Sequence, residues 1–380
     1  MNVLLYSHSY APHVGGVETF SARLAAELPS VADSRQLAIT VVTTTPAAEM
    51  NGAVRVIRRP GITQLWRLVG GSDVILLAGP AMLPLLFGLL RAKPVVVTHH
   101  GYQASCPNGL LFHHPSQTSC PGHFRNGHYA ECVRCCRSEL GLLRGLIRVL
   151  LTFPRRCLCR AARYNVSVSD HLASRLTLPS SVVIHHGVPQ ASAPALSAVD
   201  GTPIFLFVGR MVAEKGIRVL IEAAGLLKAQ GRAFRLWVVG DGPLRNELEV
   251  ISRSSGLRDE ACFLGVKTGQ ELQDLLARST ASVVPSVFQE TAGFSVLEQM
   301  MAGKAIIASA IGALPEGIGD AGLTFSPGNA AELAACMEQL IVSPELAESL
   351  GKRARERALR LYESKDMLSR YAELLISLKN

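Results

Sequence analysis

Short, almost wholly apolar runs alternate along this chain with longer stretches of helical period. Asn2–Tyr6, Ile39–Thr43, Val74–Leu77, Val95–Thr98, Asn165–Val168 and Val182–Ile184 are three to five residues long, and all but Asn165–Val168 show little polar alternation. Strands buried on both faces of a parallel sheet have that pattern, and the amphipathic stretches between them read as crossover helices. The rhythm stops at Pro189–Thr202, rich in Ala, Ser and Pro, and resumes with Ile204–Val208, Arg235–Val239 and Ala281–Val284. The expected fold is α/β, with two doubly wound Rossmann-like domains joined by a linker. A chain of 380 residues, 48% hydrophobic, is long enough for two cores of ordinary size.

Three strand ends in the second half carry residues suited to a nucleoside diphosphate. Ile204–Val208 runs into Gly209-Arg210, with Lys215-Gly216 before the helical stretch Val219–Lys228. Arginine meets a diphosphate as a two-pronged fork and lysine as a point charge. Arg235–Val239 runs into Gly240-Asp241-Gly242-Pro243, a tight turn that leaves room for a ligand ring. Ala281–Val284 ends at Pro285 and leads to Glu290, Thr291, Ala292, Gly293 and Phe294, with Glu298 about one turn inside the following helix. A strand-to-helix loop is where open α/β sheets bind ligands, and the free N–H groups of the new helix favour phosphate. Alone, each feature also fits a solvated surface.

Gly209-Arg210…Lys215-Gly216, Gly240-Asp241-Gly242-Pro243, Glu290-x7-Glu298, Met301-Ala302-Gly303-Lys304 and Gly312-Ala313-Leu314-Pro315-Glu316 together resemble the donor-binding half of glycosyltransferase family 4, retaining enzymes of the GT-B fold. Tyr10 to Glu18, with Gly15 and Gly16, is similar to the glycine loop that opens the other half. The resemblance implies an acceptor-side domain over residues 1–190, a nucleotide-sugar domain over 191–363, the two facing across a cleft, and a last helix, 364–380, returning to the first. It implies transfer from a UDP- or GDP-sugar with retention of configuration. Arg210 and Lys215 would stabilise the departing diphosphate, Glu298 would hold the ribose, and Glu290 would meet the sugar hydroxyls near the developing positive charge. Gly15, Gly16, Gly209, Gly240, Gly242 and Thr291 to Phe294 would line the donor. His100, at the end of Val95–Thr98, would face the donor sugar; many relatives have Asp at the next position, where this chain has Gly101. His99 reads as a packed neighbour, and His186 as a loop residue without a catalytic role. No Asp-x-Asp pair occurs, so catalysis is expected to need no divalent cation. A non-catalytic GT-B partner module and a nucleotide-sugar epimerase of the same fold are the alternatives. A nicotinamide dehydrogenase lacks its Gly-x-Gly-x-x-Gly.

Seven of the nine cysteines lie between Cys106 and Cys159, and all 11 histidines precede residue 190. Within the cysteine-rich segment 106–136, Cys132-x-x-Cys135 has the spacing of a thiolate metal site. Cys106 and Cys120 would complete a structural zinc, with His113, His114, His123 and His128 as substitutes; plain reduced cysteines and redox chemistry are the other readings.

Charge is uneven. Residues 1–190 hold 18 lysines and arginines against 8 acidic residues, although the net charge of the chain is only +8. Eight of these arginines, from Arg134 to Arg163, sit among Leu140, Leu142, Leu143, Leu146, Ile147, Val149, Leu150, Leu151 and Phe153. That mixture suits an anionic membrane surface and, with the family resemblance, a lipid-linked or oligosaccharide acceptor. The other reading is a helix packed on its own domain. No basic stripe with interleaved aromatics points to nucleic acid. Met1–Tyr6 lacks a basic leader and reads as the first strand, and Val74–Leu90 is broken by Gly and Pro, so the expected location is cytoplasmic, peripheral on the membrane.

Overall fold

The structure, a computed structural model, describes residues 1–13, 15–31, 37–47, 54–190 and 201–378. Most of the Pro189–Thr202 stretch therefore lies outside the described residues. The chain forms two compact units: Met1–Ser116 with Cys120–Gly187 and Ser364–Asn380, and Val188–Glu363 with Gln117–Ser119.

The first unit is built on a parallel sheet of seven strands, β1 (Asn2–Ser7), β2 (Ala38–Thr43), β3 (Arg55–Arg58), β4 (Val74–Ala78), β5 (Val95–His99), β6 (Tyr164–Ser167) and β7 (Ser181–Val183). Their spatial order is β3-β2-β1-β4-β5-β6-β7. The second unit has a six-stranded parallel sheet of β8 (Ile204–Val208), β9 (Arg235–Val239), β10 (Ala261–Gly265), β11 (Ala281–Val284), β12 (Ala305–Ser309) and β13 (Leu323–Phe325), in the order β10-β9-β8-β11-β12-β13. Both orders reverse direction once, between β1 and β4 and between β8 and β11. A doubly wound sheet opens its ligand crevice at that reversal, beyond the strands' C-terminal ends.

Burial explains the apolar runs. Every residue of β4, β5, β11 and β12 is buried, because helices cover both faces. The second core places Phe205, Leu236 and Ile307 against Leu220 and Leu227 of helix α4 (Ile217–Ala229). The helices named before it are α1 (Gly16–Val31), α2 (Tyr129–Leu140) and α3 (Leu142–Ala161); those after it are α5 (Phe294–Met301), α6 (Pro344–Leu361) and α7 (Ser364–Ile376). Although last in sequence, α7 packs in the first unit: Tyr371 and Leu375 join the core of Leu5, Phe20 and Leu24, and Tyr371 Oη lies 3.1 Å from Thr98 Oγ1.

His99 is an internal strut of the first sheet. Asn165 Nδ2 donates to the carbonyls of Cys159 and Pro179, which turns its Oδ1 toward His99 Nε2 at 2.9 Å. The imidazole therefore donates from Nε2, and Nδ1 is buried without a partner. Burial pushes its pKa down to about 4, since a second proton would charge a ring cut off from water. The unfolded chain binds a proton near pH 6.5 and the folded one does not, so this stability is whole above that pH and is lost as pH falls from 6.5 toward 4. Chemical denaturation at pH 7 and pH 5 should show a loss on the order of 2 kcal/mol from this ring. In His99→Gln, whose amide keeps the bond to Asn165, the pH dependence should be shallower by a similar amount; an unchanged slope would remove His99 from the account.

Candidate functional site

At the reversal in the second sheet, two loops from strands adjacent in space meet. The β8 loop carries Gly209 and Arg210, then a 3-10 turn over Ala213–Lys215. Gly216, at φ +67°, ends that turn, and a side chain there would collide with the Pro285 carbonyl at the end of β11. Close approach of the two loops thus requires glycine. The Val287 N–H, on the β11 loop, donates to the Glu214 carbonyl on the β8 loop at 2.9 Å.

The approach brings Lys215 Nζ within 2.6 Å of Glu290 Oε1. Glu290 is only 7% exposed, and a buried carboxylate requires such a partner. Ser286 Oγ donates to the same oxygen at 2.7 Å, and Ser309 Oγ, from the end of β12, donates to the Ser286 carbonyl at 2.6 Å. The Lys215 ammonium also stands 5.1 Å from the centre of the Phe288 ring. Sequence reasoning singled out Lys215 and Glu290 but placed neither against the other, and it missed Ser286 and Ser309. Their one sequence signal is a small polar residue closing an apolar strand.

Gly312-Ala313 proves to be the support of this loop. The Ala313 N–H donates to the Glu290 carbonyl at 2.8 Å, and Gly312, at φ +64°, lies so close to the Glu290 backbone that a Cβ would strike it. Lys304 acts elsewhere, its ammonium donating to the carbonyls of Ala277 and Ser279 at 2.7 and 3.0 Å, at the C-terminal end of helix Gly269–Arg278. Cations stabilise that end of a helix. Burial lowers the Lys304 pKa to about 8.

The remaining predicted donor residues gather on the same edge. Arg210 is exposed, with Nη2 3.7 Å from the buried Glu214 carboxylate. Gly240, at φ +131°, would collide through any side chain with the Gly209 carbonyl, and Gly242 with that of Met211. The Met211 N–H donates to the Asp241 carbonyl at 2.8 Å, which knits the loops after β8 and β9 together. Thr291 and Ala292 lead to Gly293, the left-handed cap of α5, and Phe294 begins the helix. Glu298 is exposed on α5.

In the first unit, Gly15 and Gly16 open α1 after β1, with the Gly15 carbonyl accepting the Thr19 N–H at 2.9 Å. His100, just past β5, is stacked on His186, with ring centres 5.1 Å apart and Nδ1 to Nε2 at 3.3 Å. Phe20 of α1 meets both rings edge-on, and Tyr371 of α7 backs Phe20 at 5.6 Å. Burial lowers both imidazoles, His186 to about 4 and His100 well below its usual value, each helped by a neighbouring imidazole or cation. Sequence reasoning gave His186 no such role, and no local pattern links it to His100.

Cys106, Cys120, Cys132 and Cys135 line one small pocket in the first unit, with Cys136, His113, His123 and Glu131. Asn108 bridges it, accepting from Cys106 Sγ at 2.9 Å and donating to Cys135 Sγ at 3.4 Å, while the Gly122 N–H donates to Cys120 Sγ at 3.4 Å. Burial pushes Cys106 and Cys132 up to about 12 and Cys136 to about 11, so these three are neutral thiols. The donor types suit zinc. As placed, no three of these donors lie within 4.8 Å of one another among the described residues, so a shared ion would require them to draw together.

Residues 190–357 match the family described as Glycosyl transferases group 1. The chain is 33% identical over 158 residues to the alpha-D-kanosaminyltransferase of Streptomyces kanamyceticus, a match that covers 41% of each protein. Matches of this kind span about two fifths of the length of the curated relatives. Among solved structures, sucrose-phosphate synthase from Thermosynechococcus elongatus superposes with a TM-score of 0.75 at 20% identity, over 99% of this chain and 98% of that one. Anabaena HepE, in complex with UDP and glucose, superposes at 0.72 with 17% identity, over 99% and 100%. The two doubly wound sheets are those of the GT-B fold. Residues 190–357, nearly all of them in the second unit, are thus similar to the glycosyl transferases group 1 family.

Proposed function

We propose that this chain transfers a sugar from a nucleoside diphosphate sugar, UDP- or GDP-linked, to an acceptor with retention of configuration and without a catalytic metal ion. The Lys215–Glu290 pair at the reversal of the second sheet, with its carboxylate buried, carries this reading. It sits on the edge that also bears Arg210, the close-turning Gly209, Gly240 and Gly242, and the start of α5. Lys215 and Arg210 meet the charge that grows on the departing diphosphate, a form of stabilisation that acts more strongly in the transition state than in the bound substrate. Glu290 receives hydroxyls of the donor sugar and opposes the positive charge developing at the anomeric carbon. Glu298, exposed one turn into α5, receives the ribose hydroxyls. The leaving phosphate takes the acceptor proton, so Glu290 and Glu298 are not the paired acid and base of a hydrolase. His100, held neutral by burial, offers the sugar a hydrogen bond rather than a charge. The sugar transferase among the curated relatives supports the reaction class. The acceptor class we assign is a lipid-linked sugar or glycolipid, used by a protein peripheral to the membrane.

Glu290→Gln retains the shape of the side chain and its contact with Ser286. It should lower kcat on the order of 10²-fold or more while nucleotide affinity changes little. Lys215→Ala should do the same; because it also strips a buried carboxylate of its partner, Lys215→Arg serves as the folded comparison. Product NMR should show the donor's anomeric configuration. Near-normal turnover in a folded Glu290→Gln protein, or an inverted product, would overturn the assignment.

We further propose that the thiol pocket takes zinc as a structural ion, held by Cys106, Cys120, Cys132 and Cys135. Its work is to tie the loop after β5 to α2; sugar transfer does not pass through it. Elemental analysis of protein purified without chelator should find about one zinc per chain. Cys132→Ser and Cys135→Ser should each lose it, together with thermal stability. Metal-free protein that unfolds at the same temperature with or without added zinc would leave reduced thiols as the account.

A further inference from the structure

We propose that the first unit docks on an anionic lipid bilayer through two neighbouring helices, Met82–Leu90 and α3, and that this surface is separate from the residues of the transfer reaction. Helix α3 buries only Gly145, Val149, Thr152 and Cys159, a narrow stripe along one side. Gly145 lets the backbone of α2 lie against it, since a side chain there would sit 3.0 Å from the Arg137 nitrogen. The opposite side of a water-facing helix should be polar. Here it is Leu143, Ile147 and Leu150, with Leu146 and Leu151 at its edges, and Leu143 is 71% exposed and Leu150 56%. Alongside α3, helix Met82–Leu90 exposes Leu83, Leu86 and Leu90, spaced by three and four residues on one face. Two neighbouring helices that both turn leucines outward present apolar surface beyond the scattered exposed residues of an ordinary water-facing side.

The arginines identify the occupant. Several of the eight between Arg134 and Arg163 fasten the fold instead of facing a partner. Arg155 donates to the Gln103 carbonyl, Arg156 donates to the carbonyls of Ala104 and Leu176, and Arg134 pairs with Glu131. Arg144 and Arg148 are exposed and one helical turn apart, so they flank the leucine stripe on one side, and α3 contains no acidic residue. Apolar side chains edged by cations, with no anion among them, complement acyl chains beneath acidic headgroups. No described helix is long and apolar enough to cross a membrane, so the contact is with the surface.

The test is co-sedimentation of the full chain with vesicles of phosphatidylcholine alone or with about a third phosphatidylglycerol. The protein should pellet with the anionic vesicles, bind the neutral ones weakly, and be released as salt rises. Arg144→Gln with Arg148→Gln should weaken partitioning about 10- to 30-fold, since each cation near an anionic surface contributes about 1 kcal/mol. Leu143→Gln with Leu150→Gln should abolish it. All four positions are exposed, so unfolding temperature and nucleotide affinity should not move, which keeps this outcome distinct from failure of the transferase reading. Equal binding to both vesicle types, no binding to either, or a soluble dimer that the leucine variant dissociates would overturn the proposal.

Discussion

The second unit depends on one ion pair. Lys215 and Glu290 lie on the loops of two strands that touch only because the sheet reverses between them. Glu290 is buried and Lys215 partly so, and a buried carboxylate left without its partner is destabilising. The pair therefore constrains its surroundings. Gly216 gives the two loops their clearance, Gly312 clears the Glu290 backbone, Ser286 donates to the oxygen that Lys215 meets, and Ser309 holds the Ser286 carbonyl. The carboxylate held so firmly is the one assigned to the sugar, so its geometry is set before a substrate arrives.

The first unit handles its titratable groups in the opposite way. The second unit keeps charges inside by pairing them, whereas the first suppresses them by burial: His99, His100 and His186 are all held neutral. Neutral rings can stack and share a hydrogen bond at a distance where two imidazolium ions would repel. The position of the stack is set by Phe20 and Tyr371, from helices at opposite ends of the sequence. Without an ion the thiol pocket follows the same rule, burial disfavouring the thiolates of Cys106 and Cys132, and a bound zinc would take the place of those protons.

How much was legible depended on whether a feature is local. The strands Ile204–Val208, Arg235–Val239 and Ala281–Val284 are readable to the residue, because burial on both faces leaves an unbroken apolar run. Lys215 and Glu290 were readable as separate phosphate and sugar ligands. Their contact was not, since 75 residues separate them and only the strand order joins them. Lys304 shows the converse: a residue within a family-like segment proves to cap a helix, because the pattern records its presence but not the carbonyls it meets. The arginines of α3 separate in the same way, with Arg156 turned to the backbone and Arg148 to solvent, although both stand in the same leucine-rich stretch.

Helix α7 places the completion of the first core after the whole of residues 188–363. During synthesis the second unit, nearly continuous in sequence, can close while the first still lacks Tyr371 and Leu375, and the face of α1 that bears Phe20 and Leu24 waits uncovered. A loop that spans an entire domain must then be closed to bring α7 home, and the entropy of that closure rises only slowly with its length. The burden is kinetic: for the seconds that translation of the second unit takes, the nascent first unit is an incomplete fold with exposed apolar surface.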